Sequence, residues 1–90
     1  MSEKFSEQTL QEMTFSTHIL SLNAMALMHL GLLGEGDDLP RPDRDAARHV
    51  IDTLAVLRDK TRGNLTDTEQ KLIDGLVYDL RVKFVETQRP

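Results

Sequence analysis

The chain has 90 residues, 11 basic against 15 acidic, a net charge of −4 and no cysteine. A chain of this size forms one small domain with a marginal core, and the missing cysteines exclude disulfides and thiolate zinc sites as reinforcement. Oligomerisation is then the compensation most open to the chain, and the acidic balance argues against broad electrostatic attraction to nucleic acid or an anionic membrane.

Residues 1–8 are polar and read as a flexible N-terminus. They carry acids rather than a basic start and an apolar run, so no secretory signal is expected and the expected compartment is the cytoplasm. Thr9 and Glu12 have the spacing of a capping box, which places the first helix at about 10–33. Between Met13 and Gly34 there is no Asp, Glu, Lys or Arg. That length raises the question of a membrane span. The polar residues Thr14, Ser16, Thr17, His18, Ser21, Asn23 and His29, the acidic flanks Glu12 and Glu35, and the lack of nearby Lys or Arg anchors argue against it. A helix buried on most sides fits better.

Three rows run along this helix at three-four spacing. Phe15, His18, Leu22, Met25, His29 and Leu32 form one. Ile19, Asn23, Ala26, Leu30 and Leu33 form the second, and Leu20, Ala24, Leu27 and Gly31 the third. Two further helices cover two rows at most, so a second copy of the chain is expected on the remaining one. The first row is the candidate self-association face. A homodimer or higher even oligomer follows, with Asn23 either fixing register between subunits or bonded to a loop carbonyl.

Glycines and Pro40 and Pro42 mark residues 34–42 as a linker. Asp43 is a good N-cap for a second helix over 43–62, with Ala47, Val50, Ile51, Leu54 and Leu57 on its apolar stripe. Gly63 suits the left-handed position just past that helix, and Leu65 plugs the corner. Thr66 and Glu69 form a capping box that starts a third helix over 67–87. Ile73, Leu76, Val77, Leu80 and Phe84 line its main face, and Tyr78, Val82 and Val85 a second, weaker one.

Chemical motifs are absent. No nucleophile elbow, phosphate loop, dinucleotide fingerprint or His-Glu-x-x-His occurs, and each acidic pair already has a helix N-terminus or linker role. No enzyme activity, cofactor or metal is therefore expected. His18 and His29 share a face but stand about 16 Å apart along one helix, too far to hold a single ion. The corner at Lys60, Arg62 and Asn64 is the candidate partner-binding site, although cations also belong in the last turn of a helix for dipole reasons alone. A helix-turn-helix reading is weakened by the long second helix and by Asp67 and Glu69 where phosphates would approach.

The segments FSTHILSLNAMALMHLG and ARHVIDTLAVLRDKTRGNLTDTEQKLIDGLVYDLRVKF resemble a small bacterial family, domain of unknown function 1844, over about residues 14–85. The run Lys60-Thr61-Arg62-Gly63-Asn64-Leu65-Thr66 with Glu69 behind it carries most of the likeness. The resemblance implies a compact helical bacterial protein of the cytoplasm and supplies no catalytic or ligand residue. The expected architecture is an all-α, three-helix domain over residues 9–87. It has a long apolar first helix and an αα corner between helices two and three, and it assembles as a homo-oligomeric bundle. The expected role is a non-catalytic self-associating interaction or scaffolding module with an unidentified protein partner. The alternatives are an accessory RNA- or ribonucleoprotein-binding factor using Lys60, Arg62 and Arg81, and a small-ligand or enzyme site at a subunit junction.

Overall fold

The computed structural model describes residues 13–34 and 41–87. Among the described residues there are three α-helices and no strand: α1 (Phe15–His29), α2 (Arg44–Lys60) and α3 (Asp67–Glu86). The all-α expectation holds. The expected N-terminal segment, the Thr9–Glu12 box and linker residues 35–40 lie outside the described residues.

The first helix differs from the expected 10–33 at both ends. Thr14, with extended backbone, is its N-cap. The Thr17 N–H donates to Thr14 Oγ1 at 3.1 Å, and the Thr14 N–H donates to Thr17 Oγ1 at 2.8 Å. This is a capping box with a second threonine in place of the usual Glu or Gln, and it satisfies two otherwise orphaned donors. At the other end Gly31 takes a φ of 77°, which only glycine enters without strain. The Gly31 N–H reaches Met28 O, and the Leu32 N–H reaches Leu27 O, both at 2.9 Å. That Schellman pair turns the chain out of the helix, so the apolar run continues to Leu33 while the helix ends at His29. The Asp43 N–H then donates to His29 O at 2.7 Å, tying the end of α1 to the cap of α2.

The other two helices start where the sequence puts them. Asp43 Oδ1 accepts from the Ala46 N–H at 3.1 Å. Thr66 and Glu69 form the reciprocal box, with Glu69 N–H to Thr66 Oγ1 at 3.1 Å and Thr66 N–H to Glu69 Oε1 at 2.9 Å. The second helix closes at Lys60 rather than 62, and the third at Glu86.

One buried cluster joins all three helices: Ile19 and Ala26 of α1, Val50, Ile51, Leu54 and Ala55 of α2, and Ile73, Val77 and Leu80 of α3. Burying an aliphatic side chain of this kind contributes roughly 1.5–3 kcal/mol before entropy is counted. Ala26 and Ala47 are fully covered, so the backbones approach closely there. Arg44 closes the far end. Its guanidinium lies 4.0 Å from the Phe84 ring centroid and donates to Thr87 Oγ1 at 2.8 Å and Phe84 O at 3.1 Å. The cation thus sits at the negative end of α3 while holding the start of α2 against it.

Leu54→Ala is expected to cost about 2–5 kcal/mol in urea unfolding, because a fully enclosed site cannot collapse around the cavity. Arg44→Ala should cost about 1–2 kcal/mol through its lost charge-assisted hydrogen bonds. Val56→Ala, on the exposed side of α2, should change stability by no more than about 0.5 kcal/mol.

Candidate functional site

The first helix turns only one side inward. Ile19, Ala26 and Leu30 are buried, and Phe15, Leu22 and Leu27 pack against the core. The expected self-association row is therefore divided. Phe15 and Leu22 serve the intramolecular core, His29 is half-buried, and His18, Met25 and Leu32 are exposed. Asn23 is half-buried on the inward side.

Facing away from the core is the ridge Leu20, Ala24 and Met28, with Leu20 45% and Met28 40% exposed. Thr17 and Ser21 lie beside it, and Met13, Thr17, Leu20, Ser21 and Ala24 line a shallow groove. The Ser21 hydroxyl donates to Thr17 O at 3.0 Å and so is satisfied within the helix. No Asp, Glu, Lys or Arg occurs from Phe15 to His29. The outer face of α1 is consequently uncharged and half apolar, which is unusual for a helix side with no covering element among the described residues.

The corner between α2 and α3 is built from backbone geometry. Thr61 is the C-cap of α2, and its Oγ1 donates to Leu57 O at 2.6 Å. That bond accounts for a threonine at the end of a helix, which its propensity does not. Gly63 has φ 89°, and the Asn64 N–H donates to Thr61 O at 2.8 Å. Leu65 is half-buried against the core. Lys60, Arg62 and Asn64 all point to solvent, so the expected corner site is brought together as a surface. Part of its charge is engaged: Arg62 Nη2 lies 3.0 Å and Arg58 Nε 3.2 Å from the same Asp59 oxygen. Arg81 is not part of this group. It lies fourteen residues along α3 from Asp67, about 21 Å at the helical rise. The three cations of the RNA-binding alternative therefore do not converge.

The second face of α3 is present as expected. Tyr78 is 70%, Val82 40% and Val85 52% exposed. With Arg81 and Glu86 they line an open groove. Arg81 and Val85 also border a cleft against α2, where Ile51 and Phe84 form an apolar floor and Arg48 pairs with Asp52 at 3.7 Å. Arg44, which sequence reasoning did not single out, stacks on Phe84 at the end of that cleft. An Arg at the first position of α2 was the only trace of this contact in the sequence.

The model of the family described as Domain of unknown function (DUF1844) matches residues 12–86. The chain belongs to this family. The DUF1844 match spans all three helices, the uncharged ridge of α1 and the whole α2–α3 corner. No curated protein and no solved structure matches the chain. Among the described residues no group of three or more His, Asp or Glu side chains is placed to hold a metal, and no helix is long and apolar enough to cross a membrane.

Asp59 is the one described group with a clear electrostatic perturbation. The hydrogen bond from Arg58 is the largest influence and holds its carboxyl below the usual carboxylate range; partial desolvation opposes it, and the hydrogen bond from Arg62 adds to the lowering. The carboxylate form is thus favoured in the folded state. Its contribution is complete above the ordinary Asp value and is lost as pH falls through the depressed one. An NMR titration of Asp59 should report this low value. Arg58→Gln should raise it further towards the ordinary value than Arg62→Gln does, and equal effects would refute the ranking.

Proposed function

We propose that this DUF1844 chain is a non-catalytic, self-associating interaction or scaffolding module, and that the outer ridge of α1 pairs with the same ridge of a second copy. The observation that carries this reading is the uncharged outer face: α1 has no formal charge along its length, yet the domain's own core uses only its inner side. A face without charge offers nothing to a phosphate backbone or to a charged peptide. It presents no like-charge repulsion to its own twin. Leu20, Ala24 and Met28 form a single i, i+4 ridge, the kind that interdigitates with its like in the commonest helix crossing, and the small Ala24 at its centre permits close approach. The exposed methionines Met25 and Met28 adapt readily to an opposing surface. A homo-oligomer also supplies the burial that a 90-residue, cysteine-free chain lacks. The cytoplasm of a bacterium is the setting we propose.

The test is sedimentation velocity of the full chain against Leu20→Asp/Met28→Asp. The double variant should keep its helical circular dichroism and lose one association step, its mass at micromolar concentration falling to half that of the parent. An unchanged mass with intact helicity overturns the assignment of α1.

A further inference from the structure

A second surface, on α3, carries an inference that shares with the α1 reading only the premise of self-association. Three observations meet there. The first is the exposed apolar strip Tyr78, Val82 and Val85. The second is Gly75, one turn before it. This glycine lies within a 20-residue helix, where glycine is unfavourable, and a Cβ added to it would meet nothing within 4 Å. It is not needed for a turn or a left-handed φ, since only Gly31 and Gly63 have positive φ among the described residues. Among the described residues, neither backbone geometry nor packing accounts for it. The third is the order of charge along the strip, Lys71, Asp74, Arg81 and Glu86, with the exposed Asp79 at its outer rim beside Glu86. Among the described residues none of these makes an ion pair, although Asp74 accepts from Gln70 at 3.0 Å.

These residues are arranged about Tyr78. The midpoints of Lys71 and Glu86, of Asp74 and Arg81, and of Gly75 and Val82 all fall within half a residue of it. At 100° per residue, Asp74 and Arg81 lie on one flank of the strip, and Gly75, Val82 and Glu86 on the other, with Lys71 inclined to that second side. In an antiparallel helix pair related by a two-fold axis, each flank meets the same flank of its twin, and contacts occur reciprocally. We infer that α3 pairs antiparallel with α3 of a second copy about a two-fold axis at Tyr78. In that pair Asp74 faces Arg81 of the twin, Lys71 faces its Glu86, and Val82 enters the open space beside its Gly75. Any other antiparallel register breaks all three matches together. The charge pattern is what selects a second copy as the occupant: a strongly acidic or basic partner would meet repulsive as well as attractive groups, whereas a twin in this register meets opposite charges at both matched positions.

The charge order makes the inference testable within the full chain. Arg81→Glu sets two acids against each other twice in a symmetric pair, as Asp74→Arg does with two cations. Each single reversal should weaken the α3 association by about tenfold or more, and the double reversal should restore it. Asp74 and Arg81 are two helical turns apart within one chain, about 10 Å along the axis, so rescue reports contact between chains. Because the chain lacks cysteine, Tyr78→Cys should also give a disulfide-linked dimer under mild oxidation, while Val56→Cys on α2 should not. Both measurements are repeated with Leu20→Asp/Met28→Asp in place. A dimer that persists there, is lost on single charge reversal and returns on double reversal supports α3 pairing whatever becomes of the α1 face. No rescue, or no more cross-linking at 78 than at 56, overturns it and leaves the α1 reading untouched.

Discussion

Ile19, Leu54 and Ile73 come from three different helices and lie in one water-free cluster. Everything else in the domain is arranged around that convergence. A helix has one side directed at such a centre, and with only two neighbours it cannot bury the rest of its circumference. For α2 this suits the sequence, whose outward side carries Arg48, His49, Asp52, Asp59 and Lys60. For α1 it does not, because the outward side has the same uncharged composition as the inward one. The conflict between a single small core and an apolar first helix is the source of the exposed ridge, and it arises from topology rather than from any irregularity of the fold.

The ends of the helices are fixed by a different currency, hydrogen bonds to backbone groups that a helix leaves open. Asp43, Thr14 and Thr66 cap the starts, Thr61 and the Gly31 turn close two of the ends, and Arg44 serves the third from across the molecule. The His29 carbonyl bonded to the Asp43 N–H makes one of these ends shared. Through it the direction in which α1 leaves the core also sets where α2 begins. The outer ridge of α1 and the strip on α3 are therefore held at a defined relation by short-range contacts, which is what a surface needs to recognise a partner of fixed shape.

The parts legible in the sequence were those with a local signature. Asp43 and the Thr66–Glu69 box give the starts of α2 and α3, the spacing of Val50, Ile51 and Leu54 gives the buried stripe, and Gly63 gives the corner. The length of α1 is not legible in the same way, because hydropathy continues through Leu33 whereas the helix is ended by a left-handed Gly31. Composition does not record φ. At its other end the acceptable spacing of Thr9 and Glu12 obscured the Thr14–Thr17 pair, which lacks the usual acid at the third position. The division of the row Phe15, His18, Leu22, Met25, His29 and Leu32 was also beyond periodicity. Three equivalent apolar rows differ only in which of them the other helices reach, and that is a tertiary fact. Arg44 on Phe84 is tertiary for the same reason, since 40 residues separate the partners.

The two pairings we propose, taken together, would have consequences that one alone would not. A single isologous contact closes at the dimer. Two of them, on different helices, alternate along a chain of subunits, and they close into a tetramer with three perpendicular axes only where their two-fold axes are perpendicular and intersect. The two faces also differ in what holds them. The α1 ridge is uncharged, so the pairing we propose for it would rest on apolar burial and change little with salt. The α3 strip has charges around an apolar centre, so the pairing we propose for it would weaken as ionic strength rises, and its register would be specified where a purely apolar strip would slide. If both proposed pairings form, one contact would hold over a wide range of salt and the other would respond to it. The proposed α3 pairing would depend on a glycine and four charged side chains that lie outside the buried core cluster.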